Sequence, residues 1–114
     1  MINYHKELVV ALQKILPTYY EMVLKAGIDT PCISYMELNN YVEAAGNTQG
    51  YSIITYQVKI WGNNIADLQN YALQVDNALR VLGFKRISSG ELYDNQSAMI
   101  QKILTFEARA LEEF

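Results

Sequence analysis

The residues able to do chemistry are few and scattered along the chain. One histidine, His5, and one cysteine, Cys32, serve all 114 residues, so a zinc site of imidazole and thiolate is short of ligands and no intrachain disulfide can form. A Ser-His-Asp device would have to join His5 to Ser88 or Ser89, and neither serine stands in the sharp strand-to-helix turn that presents a nucleophile. His5 falls in the first turn of an expected helix, where an exposed or capping role suits it. Cys32 follows Pro31 and leads an apolar run, the setting of a small buried hydrophobe more than of a reactive thiol. Glu112 and Glu113 are adjacent near the chain end, where a solvated tail is expected and paired acid and base work is not. Gly46, Gly50, Gly83 and Gly90 lack the spacing and the lysine of a phosphate loop. Arg80, Lys85 and Arg86 cluster at the end of a long expected helix, where cations complement its negative end; the second reading is a contact with an acidic partner surface or with passing DNA. No catalytic, cofactor or metal site emerges, and the chain is not expected to be an enzyme.

Composition sets the frame for what positions these residues. At 51% hydrophobic and 18% charged, the chain is too apolar to stay disordered, and its length fits one domain over 1–114. It has no apolar run near the ~20 residues of a membrane span, and MINYHKELVV lacks the h-region of a signal peptide, so the mature chain is expected to begin near Met1 in a setting without membrane. The Asn95-Gln96-Ser97 glycosylation triplet has no consequence without secretion. A net charge of -3 argues against a broad basic surface for nucleic acid.

The chain is organised around Tyr51–Leu82. In YSIITYQVKIW, Ile54, Tyr56, Val58 and Ile60 share one face and Thr55, Gln57 and Lys59 the other, the period of a half-buried strand. From Asn64, the expected N-cap with Asp67 three residues on, the period becomes helical: Ile65, Leu68, Ala72, Val75, Leu79 and Leu82 form one stripe, and Gly83 supplies the stop. Ahead of this unit, Asn3 can cap a first helix whose stripe of Leu8, Val9, Leu12, Ile15 and Leu16 ends at Pro17. YYEMVL then reads as a short strand and KAGIDTP as a loop. Ile33–Val42 is extended, but Asn39 and Asn40 disturb both faces, which predicts a bend or bulge. AAGNTQG is the tip of a hairpin. After the long helix, Phe84–Tyr93 reads as a strand interrupted at Ser88-Ser89-Gly90, Asp94–Ser97 as a turn, and Met99–Leu111 as the last strand, its inward row of Ile100, Leu104, Phe106, Ala108 and Ala110 broken by Lys102.

Two helical stripes and four or five strands sharing one core predict an α+β fold: a two-layer sandwich, its sheet mostly antiparallel, with both helices packed on one face. The other sheet face carries Tyr51, Ile53 and Trp61, with Tyr35 and Tyr41 assigned to it from the neighbouring strand. Together with Asn47, Thr48 and Gln49 of the hairpin tip, these are the candidate interface residues. Nine tyrosines in the chain fit surfaces that are half dry and half wet. A protein contact and partial burial under a loop both remain open for this face.

ITYQVKIWGNN running into IADLQNYALQVDNALRVLGF, then ELYDN, then IQKILTFEARALEE, with a short leading helix and PCISYMEL as the first hairpin arm, resembles the tail terminator, or tail completion, proteins of long-tailed bacteriophages. The resemblance covers nearly the whole chain and rests on patterns of residue type. It implies a non-enzymatic subunit that forms a homo-oligomeric ring, a hexamer, on the head-proximal end of the tail tube. Such a ring stops tube polymerisation and docks the head connector, with DNA only passing through its channel, so the expected location is the head-tail junction of a virion assembled in a bacterial cytoplasm. A connector or stopper subunit is the alternative within that assembly. A small ligand-binding regulatory α+β domain, marked by a closed apolar pocket, is the alternative outside it, along with an enzyme whose site is unrecognised.

Overall fold

The leading stripe becomes helix α1 (His5–Gln13), which turns Leu8 and Leu12 fully inward, with Leu16 following just before Pro17. The structure, a computed structural model, describes residues 4–20, 30–44, 49–94 and 99–113. Asn3, the expected cap of α1, lies outside them. The N-cap position is Tyr4, which makes no capping bond; its ring instead packs edge-on against Phe84, centroids 5.3 Å apart. Strand β1 (Thr18–Tyr20) opens the stretch expected as YYEMVL, and Glu21–Asp29 lie outside the described residues.

Next come β2 (Cys32–Ala44) and β3 (Gln49–Gly62), then helix α2 (Ile65–Val81), β4 (Lys85–Asp94) and β5 (Met99–Glu113). The five strands form one sheet in the order β1-β2-β3-β5-β4. β1 runs parallel to β2 and every other neighbour pair is antiparallel, so the expected α+β sandwich has a mixed sheet with one short parallel edge. The pairing of β3 with β5 is unbroken from Gln49↔Glu113 to Gly62↔Ile100. Glu112 and Glu113 therefore belong to the last strand, which runs past its expected end at Leu111.

The core lies where the helices cover the sheet. Ile54, Tyr56, Val58 and Ile60 of β3 join Leu104, Phe106 and Ala108 of β5 beneath Leu8 and Leu12 of α1 and Leu68, Ala72, Val75 and Leu79 of α2. Alternation in the strands and the 3.6-residue period in the helices bring these apolar groups to one layer. α2 starts as expected: Asn64 Oδ1 accepts from the Asp67 amide at 3.2 Å. It stops as expected too, with Gly83 at φ 97°, a left-handed conformation glycine adopts without steric cost. Ile65, assigned to the stripe, is 40% exposed because it is the first helical residue, and the buried row begins at Leu68.

Among the described residues, two bulges interrupt the sheet. Pairing of β2 with β3 shifts between Glu37 and Asn39, leaving Leu38 extra, as the disturbed alternation there predicts. Pairing of β4 with β5 shifts between Arg86 and Ser88, so the extra residue is Ile87 and the Ser88-Ser89-Gly90 stretch is regular strand. Lys102 does sit in the inward row of β5, at the β4 margin of the layer, where its ammonium meets Glu91 at 3.1 Å.

Candidate functional site

The sheet face opposite the helices is built by the odd residues of β3 and their cross-strand partners. Along it, Tyr51 pairs with Glu43 and Leu111, Ile53 with Tyr41 and Arg109, Thr55 with Asn39 and Glu107, and Trp61 with Cys32 and Gln101. The core cluster ends at Ile54 on β3 and Ala108 on β5, while the strands continue to Gln49 and Glu113. They form a three-stranded ribbon with β2, at one end of a molecule 51 Å long and 24 by 22 Å across.

The expected interface residues divide sharply by burial. Tyr41 and Tyr51 are 52% and 42% exposed on the ribbon. Ile53 lies between them on the same face yet is 1% exposed, so it supports the ribbon and offers no contact surface. Trp61 is half-buried at the other end of β3: its Nε1 donates to Ser34 Oγ at 2.8 Å, and Lys59 Nζ stands 5.9 Å from its ring centroid. Ser34 itself is fully buried, so the indole supplies a bond that Ser34 could not obtain from water. Asn47 and Thr48 lie outside the described residues. Gln49 belongs to β3 and Ala44 pairs with Gly50, so the hairpin tip is narrower than AAGNTQG.

Tyr35 does not share a face with Tyr41. It pairs with Val58, lies on the helix side and belongs to the core. The cause is the extra residue Leu38, which reverses the parity of β2 between the two tyrosines. Tyr35 Oη and His5 Nε2 hydrogen bond at 2.6 Å, tying the exposed first turn of α1 to the sheet. Tyr20 packs edge-on against the same ring, centroids 5.4 Å apart. Burial, with Tyr20 nearby, raises the Tyr35 hydroxyl above its usual pKa. Burial likewise pushes Tyr56 up to about 12, with Glu37, Tyr35 and Tyr20 adding to the effect. Cys32 is buried and its thiol pKa is raised by that burial, the inert state expected of it.

The basic cluster is partly engaged at home. Arg80 meets Asp76 at 2.6 Å and Arg86 reaches the other oxygen of Asp76 at 3.7 Å. With Phe84 and Lys85 these residues line an open depression of about 280 Å³. Among the described residues no group of three His, Cys, Asp or Glu could hold a metal, and no helix is long and apolar enough to cross a membrane.

Sequence reasoning missed the apolar margins. Leu38 and Val42 on β2 are 44% and 42% exposed, and Ile87, Leu92 and Tyr93 on β4 are 50%, 58% and 61% exposed. Leu38 and Ile87 are the two bulge residues, Val42 lies on the ribbon beyond the end of the core, and Leu92 and Tyr93 lie on the edge strand β4.

No known family profile matches the chain, and neither does any curated protein sequence. Among solved structures, the chain is similar to one chain of the virion of the native gene transfer agent (GTA) particle, with a TM-score of 0.66 and 15% identity over 93% of this chain and 83% of that one. At that identity the likeness is one of fold.

Proposed function

We propose that this chain is a structural subunit of a phage-type virion. In this reading, six copies close into a ring at the head-proximal end of a tail tube, stop its polymerisation and present the surface on which the head connector docks. The observation that carries the reading is the fold shared with a gene transfer agent virion chain across 93% of this chain. Tyr41 and Tyr51, exposed on the ribbon, support it, because a tyrosine offers a large rigid contact with a polar tip. With the hairpin residues Asn47, Thr48 and Gln49 they form the surface for the tube or for neighbouring subunits, while Trp61 braces the far end of the same strand. The work is done by shape and complementarity without catalysis, at the head-tail junction, with DNA passing through.

Electron microscopy of particles assembled with and without the protein tests this. Tubes of uncontrolled length in its absence are the expected result. Tails of normal length that fail to join heads would move the protein to the connector or stopper role, and normal tails joined to heads would overturn both.

A further inference from the structure

Among the described residues, Glu37 and Arg86 end one cross-strand row, Glu37 on β2 just past the reach of β1 and Arg86 on the edge strand β4. The row runs from Glu37 on β2 through Tyr56 on β3 and Phe106 on β5 to Arg86 on β4. Tyr56 and Phe106 are core residues, so the acid and the base flank them on the helix side, and both are exposed. With strands about 4.8 Å apart, roughly 14 Å separates the two margins. Each end of the row also carries a bulge residue one step away along its strand, Leu38 beside Glu37 and Ile87 beside Arg86.

Among the described residues neither charge is strongly committed within its own chain. Asp76 is held by Arg80 at 2.6 Å and reaches Arg86 only at 3.7 Å, and Glu37 accepts one long bond, 3.4 Å, from Asn40 Nδ2. Among the described residues β1 pairs with β2 only from Ile33 to Tyr35, and β4 has no strand on its outer side. Strand β2 carries Glu37 and Glu43 and no lysine or arginine, while β4 begins with Lys85-Arg86.

We propose that these two margins meet between copies of the chain, with Glu37 of one copy ion-paired to Arg86 of the next and Leu38 packed beside Ile87. The proposal rests on the ring reading above and assigns its contact. Each copy contributes a different margin to its two neighbours, which is a heterologous interface. Both ends of the row sit at one height along the strands, so repeating the contact does not step successive copies along the strand direction, which a closed ring requires and an open helical filament does not. Bulged edges pair poorly through their backbones, so side chains make the contact and charge sets its specificity.

The test is charge reversal followed by light scattering and native mass spectrometry at high concentration, with and without purified tail tubes. Glu37→Lys and Arg86→Glu are each expected to weaken self-association by about tenfold or more, with melting temperatures close to wild type. The double variant is expected to regain assembly, and so is a mixture of the two single variants, because alternating copies restore opposite charges at every contact. Wild-type assembly by either single variant would overturn the assigned contact and leave the ring reading standing. Lost assembly without rescue by the double variant or the mixture would do the same. A wild-type protein that stays monomeric and ignores tail tubes would overturn both.

Discussion

Tyr35 and Tyr41, six residues apart on one strand, lie on opposite faces of the sheet: Tyr35 pairs with Val58 on the helix side and Tyr41 with Ile53 on the outer side. An even spacing puts two residues of a regular strand on the same face. The extra residue Leu38 breaks that rule, letting β2 bury Ile33 and Tyr35 under the helices while Tyr41 turns outward. Removing Leu38 would force one half of β2 onto the wrong face, so its deletion is expected to cost more than about 3 kcal/mol of unfolding free energy. Leu38→Ala, at a site 44% exposed, should stay within about 1 kcal/mol. Urea denaturation of both variants measures the contrast, and similar losses would mean that the bulge is not what sets the faces.

Tyr56 makes alkaline stability a readout of core packing. Its hydroxyl is pushed up to about 12 from 10, chiefly by burial, so the folded chain holds a proton that the unfolded chain releases. The stability that Tyr56 contributes is therefore whole below pH 10 and falls as pH rises from 10 toward 12. Two pKa units correspond to a loss of about 2 to 3 kcal/mol. Tyr56→Phe should remove the part of this slope that Tyr56 carries, leaving a remainder from Tyr35 and Cys32, which are shifted in the same direction. Denaturant melts between pH 9 and 11.5 would show the difference, and an unchanged slope in Tyr56→Phe would place the alkaline sensitivity elsewhere.

Trp61 illustrates how a residue suited to an interface can be a structural brace. Its indole donates to the fully buried Ser34 hydroxyl at 2.8 Å, so Trp61→Phe keeps most of the apolar area but removes a buried hydrogen bond. A loss of about 1 to 2 kcal/mol is expected for it, and about 3 kcal/mol or more for Trp61→Ala. Pairing Trp61→Phe with Ser34→Ala should cost less than the sum of the two single changes, since both remove the same hydrogen bond. A double variant as unstable as the sum of the singles would deny the coupling.

Most of the fold was legible in the sequence because its strongest signals are local and periodic. The alternation of Ile54–Ile60, the stripe of Leu68, Ala72, Val75 and Leu79, the Asn64 cap and the Gly83 stop each state one physical requirement in consecutive residues. What escaped depends on distant chain. Asn39 and Asn40 announce a bulge, but nothing near them says that Leu38 is the extra residue that puts Tyr35 and Tyr41 on opposite faces, and nothing in RISSG says that Ile87, not the serines, is the extra residue. Burial of Ile53 between Tyr41 and Arg109, its partners on either side, is likewise a property of three assembled strands. The candidate surface was legible as an aromatic face, while its exposed members and the Glu37–Arg86 row needed the sheet order.

Tyr41 and Tyr51 remain as the exposed aromatics of the ribbon, and they allow folding to be separated from assembly. Both flank Ile53, so truncation to alanine would uncover an apolar side chain and confuse the two effects. Lysine keeps a long aliphatic stem over Ile53 while removing the ring. The double substitution Tyr41→Lys and Tyr51→Lys is therefore expected to change unfolding free energy by less than about 1 kcal/mol. Binding to purified tail tubes, followed by co-sedimentation, should fall by about tenfold or more, since aromatic anchors dominate contact energy. If stability and tube binding drop together, the tyrosines serve the ribbon's own fold; if binding is unchanged, the contact surface lies elsewhere on the subunit.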